Sequence, residues 1–179
     1  DTARVSSALV SATVDLSTNI DRILVGDGAI KAIPELLSSH FDDRPAFLVA
    51  DENTMAVAGA RVRDLLESAG RSVELHCYPS SCPLKPSVEN ASAIENGIGA
   101  RDMVPIAVGA GVINDLVKYA ACRKGLPFMS VATAASMDGY ASGGAPLSKN
   151  GFKHTIACSP PRVIVADSYI LATAPAPMA

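Results

Sequence analysis

The sequence predicts an α/β fold, a doubly wound and mainly parallel sheet of Rossmann-like type with a β-hairpin near the carboxyl-terminal end. Three observations predict it. Short apolar runs alternate along the chain with stretches of helical spacing, the pattern of successive βαβ units. Hydrophobic residues make up 49% of the 179, yet aromatics are only 4% and Trp is absent. A core built from Ala, Val, Leu and Ile suits a parallel sheet covered on both faces by helices. Twice, a Gly-x-Gly turn follows an apolar run and opens a helical pattern, at Gly26–Gly28 and at Gly109–Gly111.

The elements follow in chain order. Residues 1–20 are polar and rich in Ser and Thr, a lead-in strand or loose arm. Arg22 to Val25 is a short strand, and after Gly26-Asp27-Gly28 a helix carries Ile30, Ile33, Leu36 and Leu37. Asp42-Asp43-Arg44-Pro45 is a turn. Ala46 to Ala50 is a buried strand ending at Asp51. The next helix places Val57, Val62, Leu65 and Leu66 on one side and stops at Gly70. Ser72 to Tyr78 alternates, with Val73, Leu75 and Cys77 on one face. A loop bearing Pro79, Pro83 and Pro86 leads into a helix from Val88 to Gly99.

The stretch from Val104 to Ser142 holds one complete βαβ unit. An apolar strand, Val104 to Val108, breaks at Gly109-Ala110-Gly111, and a helix then sets Ile113, Leu116, Val117, Ala120 and Ala121 at spacings of three and four. It ends near Gly125-Leu126-Pro127, and a second strand, Phe128 to Val131, runs into a loop of small and polar residues. Gly143 to Ser159 is a hairpin with Lys149-Asn150-Gly151 as its turn. Beyond Pro160-Pro161 lie a last strand, Val163 to Ala166, and a short helix to Thr173 capped by Asp167-Ser168.

Composition excludes several function classes. The formal net charge is −3 and no basic stripe interleaves with aromatics, which argues against nucleic acid as a partner. No apolar run approaches membrane-spanning length, and the first residues lack a basic-then-apolar leader. Cys77, Cys82, Cys122 and Cys158 form no CxxC pair, and His40, His76 and His154 are scattered, so no zinc site emerges. Unpaired cysteines fit a reduced, cytoplasmic setting.

Both glycine loops are candidates for a phosphate. In the first, Asp51 at the end of the following strand stands where an acid binds ribose hydroxyls, but Lys31 replaces the third glycine of the dinucleotide fingerprint. A tight turn explains that loop equally well. The second loop opens a longer helix, whose unpaired N–H groups and partial positive charge suit a pyrophosphate. Asn114 and Asp115 in its first turn serve the ligand or cap the helix. Lys118 either reaches a nicotinamide ribose or pairs with Asp115 on the helix surface. Thr133-Ala134-Ala135-Ser136 offers hydroxyls on small residues, and Asp138-Gly139 presents a carboxylate, although Asp-Gly is also an ordinary turn signal.

Taken together, G-A-G-x-x-N-D-x-x-K (Gly109 to Lys118), T-A-A-S-M-D-G-Y-A-S (Thr133 to Ser142), P-P-R-V-I-V-A-D (Pro160 to Asp167) and the A-P-x-x-M tail resemble the sn-glycerol-1-phosphate dehydrogenases. These belong to the superfamily of iron-containing alcohol dehydrogenases, glycerol dehydrogenase and 3-dehydroquinate synthase. The resemblance runs from about Arg22 onward. It implies that Gly111, Val112, Ile113, Asn114 and Asp115 form the pyrophosphate loop, with Gly109 of the same turn also at the cofactor, and that Thr133, Ala134, Ala135, Ser136 and Ser142 contact NAD. It further implies that Asp138 binds the substrate and that Asp51 holds the adenosine ribose, favouring NAD over NADP. Ala110 stands where family members often carry Gly or Ser.

The family's helical second domain, with an Asp and two His that bind a divalent metal (Zn, Ni or Fe), would follow the A-P-x-x-M segment, where this sequence stops. The expectation is therefore one NAD(P)-binding domain of an enzyme that interconverts dihydroxyacetone phosphate and sn-glycerol 1-phosphate in phospholipid biosynthesis. That enzyme would be a cytoplasmic homo-oligomer when complete, and these residues alone would bind cofactor without turnover. Alternatives are a glycerol or other polyol dehydrogenase of the same superfamily, or a nucleotide-binding module without catalysis. A 3-dehydroquinate synthase fits less well, because no lysine follows Gly143-Gly144.

Overall fold

The computed structural model describes residues 19–137 and 139–174. The expected arm at residues 1–20 falls almost wholly outside them, as do Asp138 and the A-P-x-x-M tail beyond Ala174. The strands are β1 (Arg22–Gly26), β2 (Ala46–Asp51), β3 (Val73–Tyr78), β4 (Val104–Gly109), β5 (Met129–Ala132), β6 (Gly144–Lys149), β7 (Phe152–Ala157) and β8 (Val163–Asp167). The helices are α1 (Ile33–Phe41), α2 (Glu52–Thr54), α3 (Ala60–Ser68), α4 (Val88–Ile98), α5 (Gly111–Lys124) and α6 (Ser168–Ala172).

Six strands form one parallel sheet in the order β1-β8-β5-β4-β2-β3. β6 and β7 make the expected antiparallel hairpin. Its turn has Asn150 at φ 52° and Gly151 at φ 80°, the pair of left-handed residues that a two-residue hairpin turn demands.

Alternation along the buried strands sends successive side chains into two separate cores. One holds Leu48, Ala50, Val104, Ile106, Val108, Met129, Val131, Val163 and Val165 against Ile33, Leu37, Phe41, Val62 and Leu66 of α1 and α3. The other holds Phe47, Val49 and Ala107 against Ile94, Ile98, Leu116, Val117 and Ala120 of α4 and α5. Ala145 and Leu147 of β6 join this second core. Ser148 secures the hairpin through its N–H to Pro86 O at 2.8 Å. The result is a helix–sheet–helix sandwich with the hairpin on the α4–α5 side.

Two expectations are corrected. Val57 is 47% exposed and not part of the buried helix face. A π-helical stretch, Met55–Gly59, separates α2 from α3 and rotates the face, so Ala58 is buried in its place. On β3 the well-buried residue is Tyr78, while Leu75 and Cys77 are exposed. β3 is an edge strand; on the α3 side only Val73 packs onto the core. On the α4 side, Tyr78 Oη donates to Asn90 O at 2.7 Å.

His76 lies between Phe47 and Tyr78, at ring-centroid distances of 6.3 and 4.5 Å. Its Nε2 is buried without a partner, and burial lowers its pKa. The folded state therefore prefers neutral imidazole. That contribution is complete above the unfolded value near 6.5 and is lost as pH falls through the lower folded value. Thermal melts should show His76→Phe losing less stability than the wild type between pH 7.5 and pH 5. Parallel losses in the two proteins would refute this.

Candidate functional site

Strand order locates the crevice. From β2 the chain moves outward to β3, returns to β4 beside β2, and continues the other way to β5 and β8. The reversal lies between β2 and β4, and in open α/β sheets ligands bind beyond the carboxyl ends of strands at such a point. Val49 pairs with Ala107, so two residues further along, Asp51 and Gly109 end their strands side by side. Gly109 pairs in turn with Ala132, which brings the Thr133–Ser136 loop to the same edge.

The two glycine loops differ sharply in what occupies them. At the first, Asp167, only 3% exposed, accepts from Ile30 N through Oδ2 at 3.2 Å and from Tyr169 N through Oδ1 at 3.1 Å. An internal carboxylate thus takes the place of an external anion. Asp167 caps α6 as expected, and the bond to Ile30 adds a second role.

At the second loop, the N-cap of α5 is Ala110, whose methyl side chain cannot cap the helix. The orphan N–H groups of its first turn face the crevice at the positive end of the helix dipole. A Cβ on Gly109 would lie 2.6 Å from Ile113 Cβ, so this glycine serves the packing of helix on strand. Among the described residues, a Cβ on Gly111 would meet only Met137 Sδ at 4.0 Å. Neither strain nor contact with those residues demands glycine there, and the missing side chain leaves room for a ligand against the backbone.

Asn114 and Asp115 do not cap α5. Asn114 is fully buried, and its Oδ1 accepts from Ser130 Oγ at 2.9 Å while its Nδ2 has no partner. An unsatisfied buried donor costs about 1–3 kcal/mol, which favours an acceptor arriving at this turn. Asp115 is buried, and burial pushes its carboxyl up to about 6, with Lys118 and Lys153 opposing the rise. The side chain of Ile113 belongs to the core and only its backbone borders the crevice; Val112 is half-buried. Thr133 and Ala134 are buried, and Ala135 and Ser136 are exposed.

Lys118 is fully buried. Its Nζ donates to Ser142 Oγ at 2.9 Å, Gly139 O at 3.1 Å and Gly144 O at 3.2 Å, with Asp115 Oδ1 at 3.9 Å. Ser142 Oγ also lies 2.9 Å from Gly139 O, so its hydroxyl is spent within its own loop. Asp51 forms a capping box with Thr54: its Oδ1 accepts from Thr54 N at 2.8 Å, and its own N–H donates to Thr54 Oγ1 at 3.0 Å. Next to it, Glu52 accepts from Ser80 Oγ and Ser80 N, bonds that lower its pKa and draw the proline loop toward α2. A cavity of about 200 Å³ lined by Tyr78, Pro79, Cys82, Pro83, Leu84 and Asn90 opens at this end of β3, where Tyr78 pairs with Asp51.

Sequence reasoning missed Tyr140 and Ser130. Tyr140 Oη lies 3.1 Å from Ala134 O and 3.4 Å from Gly109 O, and so touches the end of β4 and the loop just beyond β5. Neither residue has a local signature, because each partner lies on another element. Among the described residues no cluster of three or more His, Cys, Asp or Glu side chains could hold a metal ion. Among those residues no helix is long and apolar enough to cross a membrane.

Known proteins resemble this chain in sequence and in fold. The chain is 33% identical over 165 residues to glycerol-1-phosphate dehydrogenase [NAD(P)+] of Bacillus licheniformis, a match spanning 91% of this chain and 41% of that protein. The chain therefore spans well under half the length of that relative. Among solved structures, glycerol dehydrogenase from Schizosaccharomyces pombe superposes with a TM-score of 0.76 at 19% identity, over 91% of this chain and 41% of that one. A 2-deoxy-scyllo-inosose synthase complexed with carbaglucose-6-phosphate, NAD+ and Co2+ superposes at 0.71 and 16% identity, over 87% and 45%. These two likenesses establish the fold. The model of the iron-containing alcohol dehydrogenase family matches residues 24–175, and the chain belongs to that family.

Proposed function

We propose that these residues form the cofactor-binding part of an NAD(P)-dependent dehydrogenase that interconverts dihydroxyacetone phosphate and sn-glycerol 1-phosphate. The observation that carries the cofactor reading is the start of α5: an N-cap alanine that cannot cap, a glycine that no contact among the described residues requires, and a buried amide without an acceptor among them. The likeness to the Bacillus licheniformis enzyme supports the substrate class.

In this reading the amides of Gly111, Val112 and Ile113 hold the pyrophosphate, and Asn114 Nδ2 donates to the same ligand. Asp51, whose Oδ1 serves the cap, turns its other oxygen to the adenosine ribose. The cavity beside Tyr78 takes the adenine. Thr133 to Ser136 line the nicotinamide side on small residues that allow close approach. The bound dinucleotide supplies the hydride for the substrate carbonyl carbon. Asp138 orients a substrate hydroxyl. The described residues do not fit a metal site, so the divalent ion expected of the family has its ligands elsewhere. A cytoplasmic location and a homo-oligomeric complete enzyme remain part of the proposal.

The test is oxidation of NADH by the intact protein with dihydroxyacetone phosphate, with and without added Zn²⁺, Ni²⁺ or Fe²⁺. Turnover with dihydroxyacetone but not its phosphate would replace this reading with a polyol dehydrogenase. Dinucleotide binding without any turnover would leave a binding module. Asp51 sets cofactor choice, because a carboxylate accepts from a 2′-hydroxyl and repels a 2′-phosphate. Asp51→Asn keeps an acceptor for the cap and removes the charge. It should cut the preference for NADH over NADPH about tenfold, and an unchanged ratio of kcat/KM values would remove the assignment.

A further inference from the structure

We propose that Lys118 and Tyr140 are positioning residues that clamp the 139–144 loop across the cofactor crevice, fixing its substrate side without binding the dinucleotide. This rests on the reading above and specifies how that site is held.

The loop runs Gly-Tyr-Ala-Ser-Gly-Gly, and three glycines in six residues make it costly to order. Two side chains supply that order. From α5, Lys118 binds the carbonyls of Gly139 and Gly144, the two ends of the loop, and Ser142 Oγ between them. An ammonium has three hydrogens, and these three acceptors use them all. From within the loop, Tyr140 Oη reaches Ala134 O and Gly109 O. One end of the clamp is thus the pyrophosphate helix, and the other is the end of β4 with the loop just beyond β5, on the nicotinamide side. Cys158 N adds a bond to Gly143 O at 3.0 Å, which ties the loop to the base of the hairpin.

Burial of a lysine is unfavourable unless every donor is met. Desolvation lowers the pKa of Lys118, and Asp115 works against that shift. One loop conformation satisfies the ammonium, and any displacement of Gly139 or Gly144 strands a charge inside the protein. The buried cation therefore makes the loop rigid. A lysine aimed at a ribose would instead present unused donors to the crevice.

The experiment compares wild type, Lys118→Met and Tyr140→Phe in the intact protein, and reads NADH affinity by fluorescence together with kcat and KM for dihydroxyacetone phosphate. The expected result is NADH affinity within about threefold of wild type and kcat/KM lowered about tenfold or more, since small misplacements near a reacting centre are that costly. An equal loss of NADH affinity would make Lys118 a cofactor ligand and overturn the proposal, as would unchanged values for both variants. If Lys118→Met does not fold, Tyr140→Phe removes a single oxygen and decides alone. Hydrogen exchange supplies a readout independent of substrate identity: amides of residues 139–144 should exchange faster in either variant, while those of α5 hold. If the wild type shows no turnover but the loop loosens as expected, the reading of the substrate fails and the clamp stands. Unchanged exchange would sink the clamp itself.

Discussion

Gly111→Asp should lower affinity for NAD(H) by more than about a hundredfold while the protein folds as before. A carboxylate there lies at the positive end of α5 and repels the pyrophosphate that the first-turn amides would hold. Folding should not suffer, because among the described residues the new Cβ meets only Met137 Sδ at 4.0 Å. An acid in the first turn adds about 0.3–1 kcal/mol to a helix, so the melting temperature should hold or rise. Gly109→Ala provides the contrast: its Cβ would press on Ile113 at 2.6 Å, and stability falls before binding is considered. Titration calorimetry with NADH beside a thermal melt separates the two. Undiminished binding by a folded Gly111→Asp protein would place the pyrophosphate elsewhere.

Asp167→Ala should cost about 3 kcal/mol of folding stability, from the loss of a helix cap and the exposure of an orphan buried N–H at Ile30. Against a typical total of about 5–15 kcal/mol, that is a large share. Asparagine should fall between the two, since its single acceptor oxygen can serve one of the two amides. Urea denaturation would measure both variants. A loss below about 1 kcal/mol for alanine would show that water replaces the carboxylate at little cost. NADH affinity, measured where Asp167→Asn is folded, should be unchanged, because the first glycine loop is not the cofactor loop.

The contrast between these loops explains what the sequence discloses. Buried parallel strands are apolar runs bounded by glycine, so β2, β4, β5 and β8 are legible within a residue at each end. The Gly109–Asp115 segment is legible because its chemistry is local: a turn, a helix start and polar residues in one stretch. Choosing between two such loops is not local. It depends on Asp167, 137 residues beyond Ile30, and on a strand order in which β8 lies between β1 and β5. The exposed faces of Leu75 and Val57 follow the same logic. Alternation and helical spacing give the period of a pattern, but neighbours decide which phase is covered. Tyr140 stands inside the Thr133–Ser142 motif without a role of its own there, since its importance lies in reaching one carbonyl at the end of β4 and another just beyond β5.

The placement of β8 also bears on how the chain assembles. β1 pairs only with β8 among the described strands, although it is made first and β8 last. On a ribosome β1 would emerge as an unpaired edge and wait for nearly the whole domain to follow. The central β2-β4-β5 units can meanwhile collapse with their own helices. Closing so long a loop costs entropy, so β1 should be the last of the described strands to dock, once β8 stands beside β5.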